Sequence, residues 1–369
     1  MSPKLTRLLA VGAGMAAATS AAAVVSAPAP AAGSTYRVAH GHSIQAAIDR
    51  ARPGDTVLVD AGVYQENLTI TKSRITLRGA GDGARGSVLE PAATPHPSIC
   101  SEFGEVNGIC VTGRFKKGTD ILGKPITDTT VTGFLVRHFT RMGILVYNAR
   151  NTAIEHDRAS HTRHYGIVGF SLSRLRVVDN ISDANGQGGI HVGDAENAQA
   201  LISGNSVYAN HGSGGIGIYI RSASRGVVRN NHVEGNCAGV LLANTDPTRM
   251  TGWTLANNTV HDNTGACSEV EGGGPPLSGL GIGLLGTDRA IVRNNRVTAN
   301  QPTGTSPLFG GILVASSRAF GGLDPTRNIV RDNRIKGNAP DDLVYDGSGS
   351  HDRFVNNTCR TSIPGGSCR

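Results

Sequence analysis

The chain has 369 residues, a formal charge of +7, 50 glycines and only 17% charged residues. That composition is too rich in turn-formers for a helical protein, while Gly plus Pro stay below the level of a disordered one. The modest positive charge favours anionic partners only loosely, and no basic tract or aromatic-and-Arg platform points to nucleic acid.

In chain order, Lys4 and Arg7 precede an apolar run rich in Ala and Val, followed by Ala-Pro-Ala-Pro-Ala-Ala. These are the basic, apolar and small-residue regions of a secretory signal. Residues 1–32 are expected to be cleaved near Ala29–Gly33, lowering the charge to +5 and releasing an extracellular monomer. The apolar run is short and interrupted by Gly, which speaks against a membrane anchor. Residues 43–52 then place Ile44, Ala47, Ile48 and Ala51 on one helical face, with Ser43 as N-cap and Arg52-Pro53-Gly54 as the stop. Such a helix suits the open end of a stack of strands.

Residues 82–128 are rich in Gly and Pro and read as an excursion. From Thr130 onward a phrase repeats: Asn-x-x-x-x-Asn at 180/185, 205/210, 231/236, 258/263, 295/300 and 333/338. The steps are 25, 26, 27, 37 and 38 residues. A period in the twenties marks a stacked repeat. Within each repeat about three short runs alternate apolar and polar residues, as in Ile190-His191-Val192-Gly193, which is strand periodicity. Three strands and three turns per repeat make one coil of a parallel β-solenoid. The Asn residues suit sharp turns that need a left-handed backbone, and when stacked they can bond into a ladder. Excursions at 264–278 and 301–310 explain the two long steps, and such insertions are expected to wall a groove on one face. About 11 or 12 coils at roughly 4.8 Å each are expected, closed by a C-terminal cap over 340–369. Six Cys fall in local pairs, each bracketing one excursion or the end of the chain, so Cys100–Cys110, Cys237–Cys267 and Cys359–Cys368 are the expected disulfides. No Cys-x-x-Cys suggests a metal, and none is assigned.

The Gly-Ile and Asn-x-x-x-x-Asn phrases, with the opening SIQAAIDRARPGDTVLVDAGVYQENLTITKSRITLRGAG at Ser43–Gly81, resemble right-handed parallel β-helix proteins of the pectin-lyase-like superfamily. The closing DLVYDGSGSHDRFVNNTCRTSIPGGSCR is similar to the ends of many secreted actinobacterial members. The resemblance covers about residues 36–369 and implies an all-β, single-domain right-handed parallel β-helix with an N-terminal capping helix. It does not fix activity, because the superfamily holds lyases, glycosidases, epimerases and non-catalytic proteins.

Aligning the strands that start at Gly143, Gly166, Gly189, Gly215, Gly239, Gly281 and Gly311 places Tyr147, Phe170, Gly193, Tyr219, Ala243, Leu285 and Ala315 in one outer column. Tyr147, Phe170 and Tyr219 there, with Asn244, form a candidate sugar platform. Beside them lie His164, His191, Asp194, Glu196, Arg221 and Asp246. Elimination from a uronate needs a base for the C5 proton and a cation for the carboxylate. His164, His191 or Tyr219 is the candidate base and Arg221 the cation. Hydrolysis needs two facing carboxylates, for which Asp194, Glu196 and Asp246 are the candidates. Asn244-Thr245-Asp246 matches the Asn-Thr-Asp of polygalacturonases, but their further motifs do not follow in order. Neither the Asp-Pro-His of alginate epimerases nor the Asp cluster of calcium-dependent pectate lyases is present, and calcium gathered from separate coils stays open. By resemblance to NosD-like proteins, His40-Gly41-His42 is a candidate copper site. The expected partner is an extracellular, acidic polysaccharide, cleaved by a lyase or hydrolase. The alternatives are a non-catalytic glycan binder and, third, a metal-handling protein.

Overall fold

The computed structural model describes residues 33–369 except 96, 102–104, 120 and 270–273, so the expected leader lies outside it. Three long sheets of 13, 10 and 11 strands run the length of this unit, and strands follow one another from first to second to third sheet in each coil. The pairing within them is parallel throughout, as in Ile167↔Ile190↔Ile218↔Val240↔Ile282↔Ile312. That row and its counterparts Val131, Ile154 and Val177 in the first sheet and Val207, Val233 and Val260 in the second are fully buried. β-branched side chains dominate because one methyl pair per coil fills a pleated row without gaps.

Two buried amide spines hold the coils in register. Asn180 donates its Nδ2 to Asn205 Oδ1 at 3.0 Å, and the same bond recurs from Asn205 to Asn231, Asn258, Asn295, Asn333 and Asn357. The second spine runs from Asn185 through Asn210, Asn236, Asn263, Asn300 and Asn338 to Asp342. The left-handed turn, however, is made by the residue before each spine Asn. Asp179, Ala184, Gly204, Ala209, Asn230, Gly235, Asn257 and Asp262 all have φ between 50° and 71°. The spine Asn itself stays outside that region because its side chain must point along the stack.

The helix Ile44–Arg50 begins at Ser43, whose Oγ accepts from Ala46 N–H at 3.1 Å. Glu66 accepts from the N–H groups of Ile44 and Gln45, so an anion sits on the positive end of the helix. Its buried face, Ile44, Ala47 and Ile48, packs on the first strands of the first and third sheets. At the other end, Lys72 donates to the carbonyls of Ile48, Asp49 and Ala51. The segment from 340 onward adds Leu343–Tyr345 and Ser362–Ile363 to the third sheet and Arg353–Val355 to the first. All three disulfides pair locally, at Cys100–Cys110, Cys237–Cys267 and Cys359–Cys368.

The excursions divide in two. The first lines a hollow on the outside of the third sheet beside Tyr147 and Phe170, while the second and third cover the sheet. Cys267, Leu277 and Leu308 pack there against Leu241, Leu280 and Leu313, forming a second apolar cluster outside the coil. The reason lies in the sheet: its outward residues Leu241, Leu285 and Leu313 are apolar, and the insertions remove them from water.

Candidate functional site

The outer face of the third sheet carries the chemistry-bearing residues, but their columns differ from the alignment above. The strand Ile216–Ala223 enters the sheet two residues later than expected, since Gly188 pairs with Ile216 and His191 with Tyr219. Gly217 is the residue equivalent to Gly189: a Cβ on it would lie 2.7 Å from the Gly239 carbonyl. Gly215 instead makes a left-handed turn beside the Cys237–Cys267 disulfide. Tyr219 therefore leaves the Tyr147–Phe170 column and stands next to His191. Arg221 takes its place, following Tyr147, Phe170 and Gly193.

His191 lies between three aromatic rings, with centroids 4.7 Å from Tyr165, 5.0 Å from Phe170 and 4.7 Å from Tyr219. It is 4% exposed, and neither ring nitrogen has a hydrogen-bond partner. Burial, assisted by the nearby Arg221 charge, lowers its pKa to about 3, so the ring is neutral. Burial also pushes Tyr219 up to about 12, keeping its phenol protonated. Arg221 donates to Asp194 Oδ2 at 2.7 Å, and Gly193, between Phe170 and Arg221, leaves space where a Cβ would strike both the Phe170 and His191 rings. Burial opposes the guanidinium charge, and Asp194 more than offsets it.

Two open hollows lie in consecutive coils of this region. One, of about 390 Å³, is lined by Phe115, Tyr147 and Phe170 together with Met142, Arg141 and Lys117. Phe115 meets the Tyr147 ring edge-on at 4.9 Å. The other, of about 460 Å³, is lined by Asp194, Glu196, Asn244, Asp246 and Arg249. The three candidate carboxylates are thus brought together, but two are engaged. Asp194 holds Arg221, and Asp246 accepts from Thr248 N–H at 2.8 Å and from its hydroxyl. Asn244 donates to the Thr248 carbonyl, so Asn244-Thr245-Asp246 builds its own turn. His164 stands on the turn before Tyr165, with Glu105 and Gln187 against its two nitrogens. His40 packs edge-on to Tyr64. Among the described residues no group of three potential ligands includes His40 or His42. Phe115, Arg141 and Lys117 had no repeat signal, since they lie in the excursion or between strands.

Two family models match the chain: a right-handed β-helix region over residues 196–360, and the periplasmic copper-binding protein NosD over 116–273. No curated protein sequence matches. Among solved structures, the mannuronan C-5 epimerase AlgE4 A-module of Azotobacter vinelandii is similar at 14% identity, with 89% of this chain and 88% of that one covered and a TM-score of 0.51. The DFA-IIIase of Arthrobacter chlorophenolicus A6 in complex with GF2 is similar at 14% identity, with 84% and 76% covered and a TM-score of 0.58. ORF18 of Geobacillus virus E2 is similar at 13% identity, with 85% and 56% covered and a TM-score of 0.54.

The chain is thus a right-handed parallel β-helix protein. It has the pectin-lyase-like fold, with three disulfides that suit an oxidising compartment outside the cytoplasm. No helix among the described residues is long and apolar enough to cross a membrane.

Proposed function

We propose that this is a secreted protein that binds an acidic polysaccharide on the outer face of the third sheet and cleaves it by β-elimination. The observation that carries the reading is His191: a neutral, unpartnered imidazole beside a protonated phenol and a guanidinium. A buried polar group without a partner calls for a reason, and catalysis is one. In the proposed step His191 takes the proton from C5 of a uronate, and Arg221 offsets the charge that develops on the carboxylate. The electron pair left at C5 then forms the C4=C5 double bond as the C4–O bond breaks with its pair on the oxygen, and Tyr219 protonates that departing oxygen. The incoming carboxylate raises the affinity of His191 for a proton from the low value that burial gives it. Tyr147 and Phe170 offer aromatic faces to a neighbouring sugar, while Arg141 and Lys117 attract its carboxylate. Half-buried Phe170 must swing aside for substrate to reach the imidazole. The similarity of fold to a mannuronan C-5 epimerase module is consistent with uronate chemistry.

A second reading, non-catalytic glycan binding, is favoured by the sealing of His191 under its three aromatic neighbours. The test is incubation with pectate, alginate, other polyuronates and neutral glucans, with calcium and with chelator. Near-ultraviolet absorbance and reducing ends should rise together, and Tyr219→Phe should lower the rate about 10²–10⁴-fold. Reducing ends alone would mean hydrolysis and would move attention to Glu196 and its neighbours Asp194 and Asp246. No turnover, with glycan binding lost in Tyr147→Ala, would establish the binding reading.

A further inference from the structure

On the outside of the second sheet, away from the residues discussed so far, His232 and Glu234 alternate with inward Val233 along one strand. His261 stands opposite Glu234 on the next coil, two residues after Thr259. Strand periodicity thus sends all three polar side chains outward from adjacent coils. Their tips converge. His232 Nε2 and His261 Nε2 are 3.2 Å apart, and Glu234 Oε2 is 3.5 Å from the first and 3.4 Å from the second.

These three distances match the edge of a ligand face around one small ion. Ligands bound tetrahedrally at about 2.0–2.1 Å lie about 3.3 Å from one another. In the neutral state only one proton can lie between the two facing ring nitrogens, so the pair offers at least one lone pair toward the same point. His261 is also oriented from behind, because its Nδ1 lies 2.6 Å from Asp262 Oδ2. A carboxylate on the far nitrogen fixes the tautomer whose Nε2 lone pair faces outward, the arrangement of metal-bound histidines generally. His232 is 47% exposed and Glu234 41%, which leaves the outer side open to water or to a further ligand.

We infer that His232, Glu234 and His261 form a binding site for a divalent first-row transition ion, with Zn²⁺ as the reference, bridging two adjacent coils. Two imidazoles and one carboxylate suit Zn²⁺, Ni²⁺ or Cu²⁺, whereas Ca²⁺ and Mg²⁺ prefer sites made of oxygen. The other convergent group among the described residues, His211 with Cys237 and Cys267, offers no thiolates because those cysteines are joined as a disulfide.

The experiment is calorimetric titration of the untagged, oxidised protein with Zn²⁺, paired with the visible spectrum of the Co²⁺ form. One equivalent is expected, with Cu²⁺ tighter than Zn²⁺ by the general order of affinities. His261→Ala and His232→Ala should each weaken it at least about 100-fold, and Asp262→Asn about 10–100-fold. Glu234→Gln, nearly isosteric, should also weaken it and serves as a second variant if an alanine form is unstable. A His40→Ala/His42→Ala double variant should bind as the wild type does, and excess Ca²⁺ should not compete. Absence of Zn²⁺ binding in the wild type, or a full equivalent retained by His232→Ala/His261→Ala, overturns the assignment.

Discussion

Asp157→Asn should stabilise the protein, and the gain should grow with pH. Asp157 heads the first amide spine: its N–H donates to Asn180 Oδ1 at 2.9 Å and its Oδ1 accepts from Phe134 N–H at 2.8 Å. Its Oδ2 is buried without a partner. Burial holds the carboxyl well above its ordinary pKa of 3.8, with the Phe134 N–H acting the other way. Every Asn below it except the last, Asn357, donates Nδ2 both to the next rung and to a carbonyl of the preceding coil, as Asn180 does to Ile154 at 2.9 Å. An amide at 157 is expected to find the equivalent two acceptors one coil earlier: Asn180 Oδ1 and the carbonyl of Val131, the residue that pairs with Ile154 in the sheet. Satisfying one orphaned buried group is worth about 1–3 kcal/mol. Proton linkage adds to this. Below the ordinary carboxyl value both native and unfolded chains hold the proton, and the wild type suffers no penalty. Above it the unfolded chain ionises first, so the wild type loses about 1.4 kcal/mol per pH unit until the native group also ionises. The amide has no such loss. Urea unfolding of both proteins, at acid pH and at neutrality, reads the difference directly. A gain equal at both pH values, or largest in acid, would refute the account of a buried protonated carboxyl.

Asn236→Ala removes acceptors from the N–H and Nδ2 of Asn210 and a donor to Asn263, all buried, so it should cost at least about 3 kcal/mol in denaturant unfolding. Ala209 holds a φ of 54° with a Cβ, so Ala209→Gly should stabilise by about 1 kcal/mol in the same assay; destabilisation would mean that the turn is not strained. His191, with its pKa lowered to about 3 by burial, should stay neutral through physiological pH in an NMR titration. Because the unfolded imidazole takes a proton at its ordinary value of 6.5, wild-type stability should fall as pH drops from there toward 3. His191→Phe should lack that part of the decline, so its stability relative to the wild type should rise as pH drops below 6.5.

The solenoid was legible because each coil meets the same problem and solves it with the same residue. An Asn at a fixed place bonds the coil above and below, and selection for that bond writes a period into the sequence. The column assignment failed where the pattern is ambiguous. Gly214-Gly215-Ile216-Gly217-Ile218 offers two Gly-Ile starts, and only the close approach of the Gly239 carbonyl decides for the second. That two-residue shift moved Tyr219 beside His191 and Arg221 into the aromatic column. The burial of His191 carried no local signal, since an outward strand position is ordinarily wet and its cover comes from Tyr165, Phe170 and Tyr219 on neighbouring coils. The convergence of His232, Glu234 and His261 was within reach. They are the first and third residues after Asn231 and the third after Asn258, places that become neighbours once the spine fixes the register.

The spines also separate what the chain must keep from what it is free to change. Asn205 reaches Asn231 across 26 residues and Asn258 reaches Asn295 across 37, yet both bonds measure 2.9 Å. Much of the extra length enters at the corner between second and third sheets, just after Asn263 and Asn300, and returns to the same rung. Lengthening such a loop adds little closure entropy. That corner is therefore a natural port for foreign sequence: an inserted peptide there would be displayed above the third sheet without disturbing the coil. It also means that variation among chains built on this plan can accumulate in the insertions, while the spine positions of the repeating part record how the coils stack.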